Sequence, residues 1–373
     1  MPKSKDIRSL MVPRLLEAAP YAAVDPPSVL AARAGVSEDD LIKVDANENP
    51  FGTSPRVVQA LASYQGYHIY PDPQQRRVRQ ALAEYAGTTP DRIVAGVGSD
   101  ELIDLLLRLF VVPGDRVLQC VPTFGMYATF TYLVGGELVS VPRNKTFDVD
   151  VEAVRNAAAQ GAKLLFLASP NNPSGNLVDE TTVRQLLELD LVVVIDEAYY
   201  EFAGATLAHL VPYYSNLVVL RTFSKWAGLA GMRLGYGIMD PAVAERLMVV
   251  KPPYNLSVAS EVALLAALDD KALLLSRVQS IVEERERLFD QLQHLPGLVP
   301  IPSSANFILC CISLGEGRQV YYELAKRGIF VRYYDTPLLR DFIRVSVGLH
   351  HQNRALVEAL QAILSKRSLD KHG

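Results

Sequence analysis

The chain has 373 residues, 49% of them hydrophobic, which excludes disorder and supplies core for more than one usual domain, so two packed domains are expected. Acidic and basic residues nearly balance, 41 against 37, and the net charge of −4 is dispersed. No basic stripe points to nucleic acid and no polybasic cluster to a membrane, which leaves a small-molecule partner.

In chain order, residues 1–53 hold too little apolar sequence to fold alone and are expected to pack on the C-terminal domain. They contain no unbroken apolar run of the signal-peptide kind, and no later stretch approaches the roughly 18 apolar residues of a membrane span, so a cytoplasmic protein is expected. Residues 54–268 read as strand and helix in alternation, the grammar of an α/β domain with a covered, mostly parallel sheet. Strands are predicted at 92–95, 116–119, 163–168, 191–195 and 216–220, several of them apolar on both faces. Ser54-Pro55 starts one helix in the capped, proline-first manner, and another is predicted over 73–85 before Gly87 stops it. Residues 269–373 form a second, α+β domain: a long charged helix through SIVEERERLFDQLQHL, the strand runs NFILCCI, GIFVRYY and FIRVSVG, and a helix over 318–327 ended by Gly328. Cys120, Cys310 and Cys311 show no metal or disulfide spacing, so no metal is expected.

In a parallel α/β sheet the ligand crevice lies at the carboxyl ends of the strands, so the turns that follow each strand carry the functional expectation. The first is Gly96-Val97-Gly98-Ser99-Asp100-Glu101, where glycines allow close approach and the next helix start, with Ser99 as its cap, makes an anion site. The second places Phe124 where an aromatic face can stack on a flat ring. The third, Ser169-Pro170-Asn171-Asn172-Pro173-Ser174-Gly175, uses two prolines to aim an asparagine. The fourth, Asp196-Glu197-Ala198-Tyr199, puts a carboxylate directly after LVVVI, where burial demands a cationic partner such as a protonated ring nitrogen. The fifth is Arg221-Thr222-Phe223-Ser224-Lys225, with Arg233 inside the glycine-rich stretch that follows. Each turn alone has an ordinary reading: a capped helix, core packing, a plain loop, a surface lysine. Together they supply an anion loop, a ring stacker, a buried aspartate, a lysine and an arginine, the parts of a pyridoxal phosphate site.

On these motifs the chain resembles the fold-type-I pyridoxal phosphate aminotransferases and, within them, the histidinol-phosphate aminotransferases. The resemblance runs from Asp45-Ala46-Asn47-Glu48-Asn49-Pro50-Phe51-Gly52 to Arg344-Val345-Ser346-Val347-Gly348. It implies that Lys225 holds the cofactor covalently and moves the proton, that Asp196 keeps the pyridine nitrogen protonated, and that Asn172 and Tyr199 bind the ring oxygen. By the same resemblance Phe124 stacks on the ring, and Ser99, Asp100, Thr222, Ser224 and Arg233 position the phosphate. Tyr70 matches a tyrosine that reaches the neighbouring subunit's cofactor, which implies a homodimer with shared active sites. Serine at 174 and phenylalanine at 124 depart from the family's more frequent threonine and tyrosine; both keep the feature the cofactor needs.

Substrate selection falls on Arg344, Arg332 and Tyr21. In FIRVSV, Ile343, Val345 and Val347 share one strand face, so Arg344 points to the other. The resemblance gives Arg344 the substrate's anionic group, and a guanidinium fork serves both the phosphate of histidinol phosphate and the carboxylate of glutamate or 2-oxoglutarate. An aromatic aminotransferase, a decarboxylase of a phosphorylated amino acid and a non-catalytic ligand sensor share the scaffold as alternatives. A nucleotide-dependent dehydrogenase rests on Gly96-Val97-Gly98 alone and lacks the full fingerprint.

Overall fold

Runs of β-branched and leucine side chains, each bounded by turn residues, become strands in the computed structural model, which describes residues 6–18, 20–21, 23–313 and 317–370. In chain order they are β1 (Ile42–Val44), β2 (Ile93–Val97), β3 (Arg116–Val121), β4 (Glu137–Pro142), β5 (Ala162–Ala168), β6 (Val192–Asp196), β7 (Leu217–Thr222), β8 (Leu234–Ile238), β9 (Leu298–Pro300), β10 (Phe307–Ile312), β11 (Ile329–Tyr333) and β12 (Phe342–Ser346). Seven form one sheet in the order β2-β8-β7-β6-β5-β3-β4, and five form another in the order β1-β11-β12-β10-β9.

The larger sheet is apolar on both faces because helices cover both. Leu165, Leu167, Val193, Ile195 and Val219 face one core cluster, while Leu164, Phe166, Val194, Val218 and Leu220 face another. Each fully buried side chain of this size contributes roughly 1.5–3 kcal/mol of transfer free energy. In the smaller sheet Ile343 and Val345 of β12 pack with Ile308, Leu324 and Leu360. The N-terminal strand joins this sheet, β1 pairing parallel with β11 through Ile42 opposite Ile329.

Pairing direction decides where the site lies. Strands β3, β5, β6 and β7 are mutually parallel, and β8 runs antiparallel to both β7 and β2. The carboxyl ends of β2, β3, β5, β6 and β7 therefore share one edge with the amino end of β8. That geometry explains how Arg233, just before β8, meets residues that follow the other strands.

Two local expectations change. The helix predicted from residue 73 begins at Arg76, because the Asp72 carboxylate accepts from the amides of Gln74 and Arg76 and Gln75 adopts a left-handed φ of 53°. The glycine-rich stretch after Lys225 runs on into Gly235-Tyr236-Gly237, which the sequence does not mark as a strand and which forms β8. A Cβ on Gly235 would lie 2.5 Å from Gly98 C and Ser99 N, so glycine here lets β8 pass against the start of helix Gly98–Phe110. Among the described residues, no helix is long and apolar enough to cross a membrane.

Candidate active site

A cavity of about 540 Å³ opens at that shared strand edge. It is lined by Ser99, Asp100, Phe124, Asn172, Asp196, Tyr199, Thr222, Ser224, Lys225 and Arg233 from the larger sheet's turns, and by Arg332 and Arg344 of the smaller sheet with Tyr21 of the N-terminal segment. The two sheets and the N-terminal segment thus build one site.

Asp196 ends β6 at 4% exposure. Its carboxylate accepts from the Tyr127 hydroxyl at 2.8 Å and the Ala198 amide at 3.1 Å. Burial pushes its pKa up to about 6 against the pull of the Tyr127 hydrogen bond, and no lysine or arginine pairs with it among the described residues. The expected cation is not a protein group, so the site fits a ligand that brings one.

Lys225 follows β7 in a loop whose turn is tied by Thr222, whose Oγ1 donates to the Leu234 carbonyl at 2.9 Å and accepts from the Ser224 amide at 3.1 Å. Its Nζ donates to the Ala46 carbonyl at 3.1 Å. Burial first, and the Arg344 charge next, lower its pKa to about 8, so an appreciable share of the amine is neutral near physiological pH. The segment carrying Ala46 is held by Asn47, which bridges both sheets: its Nδ2 donates to the Tyr199 hydroxyl at 3.0 Å and its Oδ1 accepts from Ser346 Oγ at 2.8 Å. Gly228 approaches this segment so closely that a Cβ would sit 2.4 Å from the Gly52 carbonyl.

At the other end of the cavity, helix Gly98–Phe110 presents its amino terminus. Arg233 Nη2 donates to Asp100 Oδ2 at 3.0 Å, placing a cation beside those free amides. Ser99 is not the cap: Val97 is, and the Glu101 carboxylate accepts the Val97 amide at 2.6 Å instead. Ser99 itself lines the cavity.

Arg332 and Arg344 stand directly opposite each other on β11 and β12. Arg344 is 5% exposed; its Nη1 donates to Asn172 Oδ1 at 2.7 Å and its Nη2 to the Asp45 carbonyl at 2.6 Å, with no carboxylate among its hydrogen-bond partners. Arg344 lies on the face opposite Ile343 and Val345, as the alternation of FIRVSV predicts.

Residues 39–363 match the family described as aminotransferase class I and II. The chain belongs to that family. This aminotransferase is 49% identical over 372 residues to the histidinol-phosphate aminotransferase of Roseiflexus castenholzii, covering 97% of this chain and 100% of that one. It is 44% identical over 352 residues to the chloroplastic histidinol-phosphate aminotransferase of Nicotiana plumbaginifolia, covering 94% of this chain and 85% of the other. Among solved structures, that of histidinol-phosphate aminotransferase from Sinorhizobium meliloti in complex with pyridoxal-5'-phosphate matches with a TM-score of 0.86 at 29% identity, covering 97% and 98% of the two chains.

Of the sequence-predicted site residues, Tyr70 alone lies outside the aminotransferase's cavity. It is 77% exposed and stacks on Tyr254 with ring centroids 4.5 Å apart. Sequence reasoning missed three residues that the cavity uses: Tyr127, which holds Asp196; Asn47, which joins the sheets; and Tyr334, which lines the wall beside both arginines. Tyr127 had a signal, since it stands three residues after Phe124 in the same turn-to-helix segment, and the two rings meet edge to face at 5.6 Å.

Proposed function

We propose that this aminotransferase carries pyridoxal 5'-phosphate on Lys225 and moves the amino group of histidinol phosphate to 2-oxoglutarate, in the cytoplasm and as a homodimer. The observation that carries the substrate is the pair Arg332 and Arg344, opposite each other on adjacent strands in the cavity that holds Lys225. Like charges directly opposite are unfavourable, and an anion placed between two guanidinium forks relieves the repulsion. A phosphate dianion matches two cations, and the carboxylate of the second substrate uses the same forks.

When bound, the cofactor supplies an electron sink for the electrons left behind as the substrate carbon loses its proton. The chain's residues do the rest. Lys225 Nζ, the amine that would hold the cofactor, lines the same cavity and is the group placed to take that proton and return it. Asp196 would hold the protonated ring nitrogen, whose charge would offset the burial that raises the carboxyl's own pKa. Phe124, in the cavity wall, would pack against the ring. Asn172 turns its Oδ1 to Arg344, which leaves its Nδ2 as a donor to the ring oxygen, with Tyr199 as the second donor. The amides of Ser99 and Asp100, the hydroxyls of Thr222 and Ser224, and Arg233 hold the phosphate, Arg233 also offsetting the Asp100 charge.

The exposed Tyr70 and Tyr254 rings, next to exposed Ile69, support a second copy of the chain covering this face and Tyr70 reaching its site. The unpaired Cys120, Cys310 and Cys311 accord with a reducing compartment.

Purified protein given histidinol phosphate and 2-oxoglutarate is expected to form glutamate without releasing carbon dioxide; carbon dioxide release would transfer the assignment to a decarboxylase. Arg344→Ala is expected to lose turnover, by about 10²-fold or more for a buried bidentate contact, while keeping the bound cofactor's visible absorbance. Normal turnover in that variant would sink the substrate assignment.

A further inference from the structure

Asn47 is 1% exposed and holds a left-handed φ of 55°. Its amide N–H donates to Ser346 Oγ at 2.9 Å, and that hydroxyl returns its hydrogen to Asn47 Oδ1 at 2.8 Å. The exchange fixes which way the side-chain amide faces. A flipped amide would set two donors against the Ser346 oxygen and take away the acceptor of its hydrogen. Nδ2 therefore points at Tyr199 and donates to its hydroxyl at 3.0 Å. Both ends of that bond are held: the buried Asn306 side chain donates to the Asn47 carbonyl at 3.0 Å, and Phe307 meets the Tyr199 ring edge to face at 5.1 Å.

We propose that Asn47 is a positioning residue that fixes Tyr199 as a hydrogen-bond donor to the cofactor's ring oxygen. The proposal rests on the reading above that Tyr199 meets that oxygen, and adds what compels its hydroxyl to donate. A phenol hydroxyl has one hydrogen and can serve a neighbour as donor or as acceptor. Asn47 Nδ2 can only donate, so it occupies the Tyr199 oxygen and leaves the hydrogen for the cavity that Tyr199 lines. A carboxylate in its place would take that hydrogen and leave the ring oxygen facing a lone pair. The consequence reaches the chemistry through the proton shared by the ring oxygen and the nitrogen that joins Lys225 to the cofactor. A donor to the oxygen stabilises the form from which that proton has left, so the proton is lost at lower pH.

The test follows the pH midpoint of the bound cofactor's visible absorbance, which reads that proton, in wild type and in variants at Tyr199, Asn47 and Ser346. Tyr199→Phe removes the donor and is expected to raise the midpoint by about one unit, the size of one hydrogen bond to a charged group. Asn47→Asp keeps the shape and tolerates the left-handed backbone but offers only acceptors when ionised, so it is expected to raise the midpoint at least as far. Its charge acts with or without the Tyr199 hydroxyl, so in the Tyr199→Phe background the same change should add about one unit less. Asn47→Gly keeps the backbone and leaves the hydroxyl free to donate, so its midpoint should stay within about 0.3 units of wild type. Ser346→Ala changes only the far side of Asn47, frees the amide to flip, and should raise the midpoint by about half a unit. A merely structural Asn47 would make Gly, which loses every side-chain bond, at least as disturbing as Asp, and that order overturns the proposal. Should the Asp variant fail to fold, an unmoved midpoint in Ser346→Ala overturns it instead. A shift in Tyr199→Phe without one in Asn47→Asp overturns the proposal alone, whereas an unmoved Tyr199→Phe removes Tyr199 from the ring oxygen and the proposal with it.

Discussion

Asp196 and Glu197 are neighbours at the end of β6, 4% and 1% exposed, and the strand's alternation turns them to opposite sides of the sheet. Glu197 points away from the cavity and meets Arg221 of β7, Nε to Oε2 at 3.0 Å, with the Thr206 hydroxyl donating to it at 2.8 Å. The same guanidinium donates to the Tyr236 hydroxyl at 3.3 Å and lies 3.6 Å over the Tyr200 ring. On that side of the sheet, Glu197 and Arg221 thus satisfy each other inside the chain. On the cavity side, Asp196 has a hydroxyl and an amide but no cation, and Arg344 has two neutral acceptors but no carboxylate. A buried charge that the fold satisfies belongs to the framework, whereas one the fold leaves half-satisfied marks where a ligand completes the structure.

The largest expected effect lies on the satisfied side. Arg221→Met strands Glu197 without a cation and is expected to lower the unfolding free energy of the cofactor-free protein by roughly 3–5 kcal/mol, the usual result of breaking a buried pair. The double variant Arg221→Met with Glu197→Gln removes both charges and should recover most of that loss. Denaturant unfolding measures both; a loss under about 1 kcal/mol in the single variant would erase the distinction between the two faces.

On the unsatisfied side the sign reverses. The Asp196 pKa is about 6 in the folded protein, above the ordinary 3.8. A raised folded pKa contributes stability that is fully present below the unfolded value and is lost as pH rises through about 6. Asp196→Asn escapes that loss, so above pH 7 the cofactor-free variant is expected to be more stable than wild type by up to roughly 3 kcal/mol, with the difference vanishing near pH 4. Bound cofactor should flatten the wild-type profile by supplying the missing cation. Unfolding curves across pH with and without cofactor check this, and an Asn variant destabilised at pH 8 would contradict it.

What the sequence disclosed of this contrast follows the same line. Asp196 stood out because LVVVI announces a strand buried on both faces, and a carboxylate at its end is costly wherever its partner lies. The partner of Glu197 was not legible: Arg221 is 24 residues away, and only the parallel register of β6 with β7 brings them together. Strand β8 was hidden for a related reason, since two glycines depress a local strand reading, while the need for them, contact with the backbone at Gly98 and Ser99, is tertiary. Asn47 sat in a quoted motif without a role because its bonds to Tyr199 and Ser346 span 152 and 299 residues. The turns that gather around the cavity were readable from strand order; the cross-strand contact that sets Arg332 beside Arg344 became definite only with the register.

The smallest effect concerns how the unsatisfied charges act on one another. Lys225 is lowered to about 8 by burial and, next, by the positive charge of Arg344, while Glu48 pulls the other way. Capture of a carbonyl cofactor needs the neutral amine, so its rate in the cofactor-free protein is expected to climb with pH and level off above about 8. At pH 7 roughly one amine in ten is then neutral, against about one in three thousand for an unperturbed lysine. Arg344→Ala removes a cation that disfavours the ammonium, so the midpoint should move to higher pH, and capture at pH 7 should slow although Arg344 never touches the reacting nitrogen. Stopped-flow absorbance of cofactor binding across pH measures both midpoints. A midpoint that stays put or falls in Arg344→Ala would mean that the two groups titrate independently, and that burial alone makes Lys225 a neutral amine.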